Sequence, residues 1–125
     1  MLGKETMVAF LATSRPDAAR AFFEGVLGLT FVHEHEHLVV FSSGAALLSL
    51  QKTDIVTPPR GTALGWDVKD LRGVIEALVA RGVRFERFEG MEQDELGIWR
   101  PGGPTTGVAW FKDPDGNLLS LSQGG

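Results

Sequence analysis

Apolar residues follow two different spacings in the first third of the chain, and each spacing predicts one kind of element. The continuous apolar run 7–12 has the length of a buried strand. Ser14 with Asp17 then has the pattern of a helix N-cap, and Gly28 has the pattern of a helix end. Between them, apolar residues recur at helical spacing: Ala18, Ala21, Phe22 and Val26. The pattern predicts a strand followed by a helix.

The same pattern returns about 56 residues later. The segment 63–68 has the composition of a strand, Asp70 takes the N-cap position, and Gly82 ends the next helix. The helical stripe is regular: Leu71, Val74, Ile75, Leu78 and Val79. We interpret this as one strand–helix unit used twice.

Further strands are predicted after each unit. They cover 29–32, 38–41 and 45–50 in the first half of the chain, and 83–88, 108–111 and 118–121 in the second. The last two flank Asp113–Gly116, which has the residues of a type I turn. Residues 53–61 are predicted as a linker, and 89–107 as a long irregular loop inside the second module, of a length typical of functional lids.

Composition narrows the partners and the available chemistry. The chain has 125 residues, a net charge of −4 and no cysteine, which excludes thiolate nucleophiles and thiolate-bound metals. Lysine and arginine are scattered, which argues against nucleic-acid binding, and no apolar run reaches membrane-spanning length. No glycine-rich nucleotide motif is present. We expect a cytoplasmic protein with a small-molecule partner, no nucleic acid, no membrane contact and no nucleotide cofactor.

These features resemble the vicinal oxygen chelate superfamily, which includes glyoxalase I, bleomycin-resistance proteins and extradiol dioxygenases. The resemblance rests on the duplicated modules, the helix ending 22–29 and the motif 111–119. It implies an α+β fold in which two tandem β-α-β-β-β modules form curled mixed sheets around a cavity, with helices on the outer faces. Residues 1–125 would form a single domain, with modules at about 5–52 and 62–123.

The resemblance also implies where metal ligands would stand in metal-dependent relatives. Those positions fall at Met7, Ala63 and Ser120. The fourth falls near Ser49, and a different strand register would put it at Gln51. Methionine, alanine and serine do not form a site for a hard divalent ion. We therefore predict no metal, no cofactor and no catalytic residues, and a protein that binds an apolar or aromatic molecule.

The predicted ligand-binding residues line the cavity that the resemblance implies. They are Met7, Ala9, Leu47, Ser49, Ala63, Asp67, Trp99, Trp110 and Ser120. Trp66 has the strand parity of the helix side and is predicted to be core. Trp99 either closes the cavity or anchors its loop, and the parity of Trp110 is open. Asp67 is either a general-base candidate or an exposed strand-end carboxylate.

Four alternatives remain at this stage. His33, His35 and His37 could ligate a metal, although a solvated hairpin is the simpler interpretation. Misplaced ligands would make the chain a metal-dependent lyase or dioxygenase, and a filled cavity would make it a partner-binding module. The loop carboxylates Glu89, Glu92, Asp94 and Glu95 could attract a cationic ligand or simply be solvated. The resemblance further suggests a homodimer.

Overall fold

The computed structural model describes residues 1–124 and divides the chain into two compact units. The first is Met1–Pro58 and the second begins at Pro59, inside the predicted linker 53–61. Each unit combines a mixed β-sheet with a helical segment, so the predicted α+β class is confirmed. Within the described residues, no helix is both long and apolar enough to cross a membrane.

The first unit contains a four-stranded sheet. Its elements are a 3-10 turn Leu2–Lys4, β1 (Val8–Thr13), α1 (Pro16–Arg20), a π-helix Ala21–Val26, β2 (Thr30–Glu34), β3 (Leu38–Ser43) and β4 (Ala46–Lys52). The strand order is β1-β4-β3-β2, with β1 parallel to β4 and the other pairs antiparallel.

One face of this sheet is covered by the helical segment. The ring of Phe23, fully buried, lies 5.9 Å from that of Phe41. The buried residues of this face are Leu11, Thr13, Val39, Phe41, Leu48 and Leu50. Each fully buried leucine or phenylalanine contributes about 1.5–3 kcal/mol, so this face holds the core of the unit.

The first helix differs from the prediction at its start, and its end at Gly28 is as predicted. It begins at Pro16 with Arg15 at the N-cap, so the predicted cap at Ser14 is wrong by one residue. Thr13 Oγ1 accepts a hydrogen bond from Arg15 N–H at 3.1 Å. The helix then widens, because Leu27 N–H donates to Phe22 C=O five residues back, and it ends before Gly28, whose φ is 79°.

The second unit contains β5 (Leu64–Asp67), α2 (Leu71–Ala80), β6 (Gly107–Lys112) and β7 (Leu118–Gln123). The strand order is β5-β7-β6, with β5 parallel and β6 antiparallel to β7. Asp70 caps α2 by accepting from Gly73 N–H at 3.1 Å, and Gly82 follows the helix with φ 92°. Both of these predictions are confirmed.

The predicted strand 83–88 is reduced to a single bridge between Phe85 and Phe111. Glu86 N–H still donates to Trp110 C=O at 2.8 Å. Beyond that point the side chain of Gln93 makes the hydrogen bonds that a neighbouring strand would make. It accepts from Phe88 N–H and donates to Glu86 C=O. A side chain therefore replaces the neighbouring strand.

The long loop 89–107 is held by its own polar side chains. Asp94 Oδ1 accepts hydrogen bonds from the N–H groups of Leu96 and Ile98, both at 2.9 Å. Ile98 is 1% exposed and anchors the segment in the core, while Arg100 donates to the carbonyls of Pro104 and Thr106. The loop has a fixed conformation built from these contacts.

Candidate functional site

The second sheet has one face covered by α2 and the loop, and one that we call the open face. The covered face holds Ala109, Phe111, Leu119 and Leu121, all buried. Strand register places the following residues on the open face: Ala63, Gly65, Asp67, Val108, Trp110, Lys112, Leu118, Ser120 and Ser122. Trp66 pairs with Leu121 and so lies on the covered side, as predicted.

Trp110 is the largest side chain of the open face. It lies opposite Ser120, and its indole Nε1 donates to Thr62 Oγ1 at 3.0 Å, so the ring reaches across β7. The centroid of the Trp99 ring lies 6.1 Å from that of Trp110, at an interplanar angle of 34°. The Phe88 ring meets the Trp110 ring edge-on, with 5.4 Å between centroids. These three rings form the aromatic cluster of the site, and the parity of Trp110 is thereby resolved.

Trp99 reaches the sheet because its loop pairs with β6. Its N–H and C=O exchange two 2.9 Å hydrogen bonds with Val108, which places it in the same row across the sheet. The side chain is half-buried. Trp99 therefore anchors the loop and also presents its ring beside Trp110.

Small residues form the floor next to the aromatic cluster. Gly65 is exposed and lies directly opposite Ser120, and a methyl group at Gly65 would collide with Ser120 Oγ. Ser122 and Val108 continue this floor and border a cavity of about 310 Å³ under residues 101–106. Flat aromatic walls beside a floor without bulky side chains suit a planar or apolar ligand.

The predicted site residues of the first unit do not share one face. Leu47 and Ser49 lie on the face turned away from the helical segment, opposite Val8 and Phe10 of β1, and we call this the first open face. Ala9 pairs with Leu48 and so belongs to the helix-covered side, and Met7 precedes the strand with its carbonyl accepting from Leu47 N–H. Placing Ala9 on the face of Leu47 and Ser49 is wrong, because the register sends alternate residues to opposite faces.

Phe10 and Ser49 are the two notable residues of that first open face. Phe10 is 57% exposed although it is a large aromatic. Ser49 is 3% exposed, and its Oγ has no hydrogen-bond partner within residues 1–124. Phe10, Phe88 and Ser122 were missed from the sequence. Strand alternation carries the signal for Phe10 and Ser122, but it needs the register to be read.

The metal-ligating residue types are dispersed. No three histidine, aspartate or glutamate side chains of residues 1–124 come together in a group able to hold a metal. His33, His35 and His37 are exposed, with adjacent ring centroids 5.9 and 6.2 Å apart. Gln51, the alternative ligand position, is exposed on β4. The histidine segment is a solvated hairpin.

Several charged side chains around the sheets form ion pairs. Lys52 Nζ lies 2.8 Å from a Glu34 carboxylate oxygen, and this hydrogen bond lowers the pKa of Glu34. In the long loop, Glu95 pairs with Arg72, and Asp94 lies 3.7 Å from Arg100. Asp94 therefore holds the loop backbone, and Glu95 makes an exposed ion pair.

The turn after β6 carries a buried carboxylate. Asp113 Oδ1 accepts from the N–H groups of Asp115 and Asn117, and Oδ2 accepts from Asn117 Nδ2, all at 2.9 Å. Burial raises the pKa of Asp113 despite these bonds. Gly116 N–H donates to Asp113 C=O at 3.0 Å, which confirms the predicted turn. This group fixes the register that sets Trp110 opposite Ser120.

Comparisons with solved structures give the same fold at low sequence identity. A Bacillus anthracis protein described as a glyoxalase family member matches with a TM-score of 0.75 and 14% identity, covering 96% of this chain and 94% of its own. Lactoylglutathione lyase from Agrobacterium tumefaciens matches with a TM-score of 0.68 and 21% identity, covering 97% and 94%.

A member of the superfamily from Sphaerobacter thermophilus matches with a TM-score of 0.70 and 21% identity, covering 98% of this chain and 99% of its own. Comparison with curated protein sequences gives no significant match. The family model described as Glyoxalase/Bleomycin resistance protein/Dioxygenase superfamily matches residues 6–121. The chain therefore belongs to the glyoxalase/bleomycin resistance protein/dioxygenase superfamily.

Proposed function

We propose that this chain is a metal-free small-molecule binding protein of the glyoxalase/bleomycin-resistance type, which holds an apolar or aromatic ligand. The observation that carries the proposal is the Trp99–Trp110 pair beside the small-residue floor of Gly65 and Ser120. Indole rings offer large apolar contact area at little entropic cost, and the floor leaves room for a ligand ring.

The residue types at the implied ligand positions support binding over metal chemistry. Ala63 and Ser120 stand where relatives carry ligands in the second module, and a working metal site needs about three converging donors. Ser49 occupies the corresponding place in the first module with its hydroxyl buried. These positions offer shape and one or two hydrogen-bonding groups.

The alternative is a metal-dependent lyase or dioxygenase. The fold similarity to lactoylglutathione lyase favours it only at the level of the scaffold, because that identity is 21%. The dispersal of histidine and carboxylate side chains in residues 1–124 argues against it.

Tryptophan fluorescence tests the binding proposal directly, because the chain has three tryptophans. We expect a neutral aromatic probe such as naphthylpropanol to quench the emission saturably. Trp99→Leu and Trp110→Leu should each weaken binding about tenfold or more, since each removes one aromatic contact and its apolar area. Trp66→Phe, on the covered face, is the matched control and should bind like the wild type.

Equal binding by the wild type and the three variants would show that the probe binds elsewhere than at this face. No saturable binding by any of the four proteins would overturn the proposal. The homodimer and the cytoplasmic location remain predictions from the sequence and its resemblance. Sedimentation equilibrium tests the predicted homodimer.

A further inference from the structure

We infer that the ligand of the second open face carries a cationic amine as well as an aromatic ring, and that Asp67 binds the amine. This inference rests on the proposed function and names the chemical class that the site would select. It depends on four residues that form one row across the sheet: Trp99, Val108, Ser122 and Asp67.

The row has an aromatic side chain at one end and a carboxylate at the other. Trp99 pairs with Val108, Val108 with Ser122, and Ser122 with Asp67, so three interstrand spacings separate the two ends. At about 4.8 Å per spacing, the Cα atoms of Trp99 and Asp67 are about 14 Å apart. A ring against the indoles and an amine on a short alkyl chain span this length.

Asp67 is available for such a ligand. Its side chain is exposed, and it makes no ion pair or hydrogen bond with any other residue of 1–124. Glu34, Asp94 and Glu95, by contrast, each have a cationic partner. An unpaired carboxylate at the end of an apolar row gives the row a definite charge preference.

Two of the cations near this row, Lys112 and Arg100, are already engaged. Lys112 stands on the open face at the other end of β6, with its Nζ 3.8 Å from Glu86 Oε1. Arg100 donates to two loop carbonyls and lies 3.7 Å from Asp94. Asp67 places a negative charge at the end of this row, which favours a cation by charge complementarity.

The middle of the row has space for the connecting chain. Val108 and Ser122 border the cavity of about 310 Å³, whose remaining lining is the loop residues and the end of β7. This volume is at the lower end of small-ligand pockets. The connecting chain would lie over Val108 and Ser122, where no long side chain stands in its way.

The test compares three probes of one shape by tryptophan fluorescence and calorimetry at low salt. They are the cation naphthylpropylammonium, the neutral naphthylpropanol and the anion naphthylbutanoate. We expect the wild type to bind the cation about fivefold tighter than the alcohol, the gain of one exposed charge pair, and the anion more weakly than either. Added salt should reduce this preference.

Asp67→Asn should bind cation and alcohol equally while keeping the wild-type affinity for the alcohol. Glu76→Gln is the matched control, because it removes one exposed carboxylate from α2 on the opposite side of the sheet, and it should keep the preference.

The outcomes separate the two proposals. Equal affinity of wild type for cation and alcohol would overturn the inference about Asp67 and leave the binding function standing. A cation preference that survives in Asp67→Asn would also overturn it. Binding of none of the three probes would overturn the binding function itself.

Discussion

Some individual residues of this chain build the fold, and others are the ones that we propose contact a ligand. Asp113 and Asn117 are 7% and 1% exposed and bond to each other and to the turn backbone. Trp99, Trp110 and Asp67 carry their functional groups on the other side of the same hairpin or beside it. A change in one set can therefore be assayed without changing the other.

Asp113 should make folding stability depend on pH. Its folded pKa is raised by burial above the ordinary value of 3.8, so its stabilising contribution is complete below that value. The contribution is lost as the pH rises through the folded pKa. We expect the free energy of unfolding of the wild type, minus that of Asp113→Asn, to fall as the pH rises from below 3.8 through the folded pKa. Urea unfolding across this range measures it, and a difference that rises with pH would contradict the assignment.

At the scale of elements, close packing rather than sequence pattern decides several positions. A methyl group added at Gly107 would lie 2.6 Å from Ile98 Cγ2 and 3.1 Å from Leu71 Cδ2. Nothing lies within 4 Å of the same group added at Gly25 in the π-helix. The start of β6 therefore fits against the loop and α2 with no space to spare.

Gly107→Ala should lower the free energy of unfolding by about 1–3 kcal/mol, because core side chains must shift to accept the methyl group. Gly25→Ala, the control, should leave it unchanged or raise it by up to about 1 kcal/mol, since alanine loses less backbone entropy in a helix. Chemical unfolding of the two variants beside the wild type gives both values. If Gly107→Ala left the free energy of unfolding unchanged, Ile98 and the loop would shift at little energetic cost, contrary to this prediction.

The sequence was sufficient for those elements whose signals are local. The Asp70 cap, the closing Gly82 and the Asp113–Gly116 turn depend on neighbouring residues, and all three are confirmed. The strand at 83–88 was overestimated because the competing partner, Gln93, lies in an irregular loop. Sequence alternation does not show which face of β1 is covered, because both faces are apolar. Val8, Phe10 and Ala12 lie on one face, and Ala9 and Leu11 lie on the other.

The same division holds for the candidate site. Strand parity predicts Ala63 and Asp67 on one face, the resemblance implies Ser120 in the same cavity, and the register puts all three on the open face. Trp99 required the structure, because only its pairing with Val108 brings a loop residue to the sheet. Phe88 was missed because its neighbour Trp110 is 22 residues away along the chain.

At the scale of the whole molecule, the duplicated units have diverged on their open faces. The first presents Val8, Phe10 and Gln51, and the second presents Trp110, Asp67 and serines. Histidine is confined to the β2–β3 hairpin. In the described residues the donors for a metal centre are not assembled in either unit.

Divalent metals should therefore leave thermal stability unchanged. We expect the midpoint of unfolding to stay constant on addition of Zn²⁺, Mn²⁺ or Ni²⁺ and on treatment with a chelator. A metal bound at a hundredfold excess over its Kd would add about 2.7 kcal/mol, which a melting curve detects easily. A rise that persists after His33, His35 and His37 are replaced by glutamine would contradict the metal-free proposal.

The carboxylate–amide cluster at the β6–β7 turn also has an evolutionary consequence. It fixes the alignment of the hairpin through Asp113 and Asn117, which take no part in the proposed ligand contacts. Substitutions at Trp110, Ser120 or Asp67 can therefore accumulate without loosening the hairpin, and descendants of this chain are free to change what they recognise while they continue to fold.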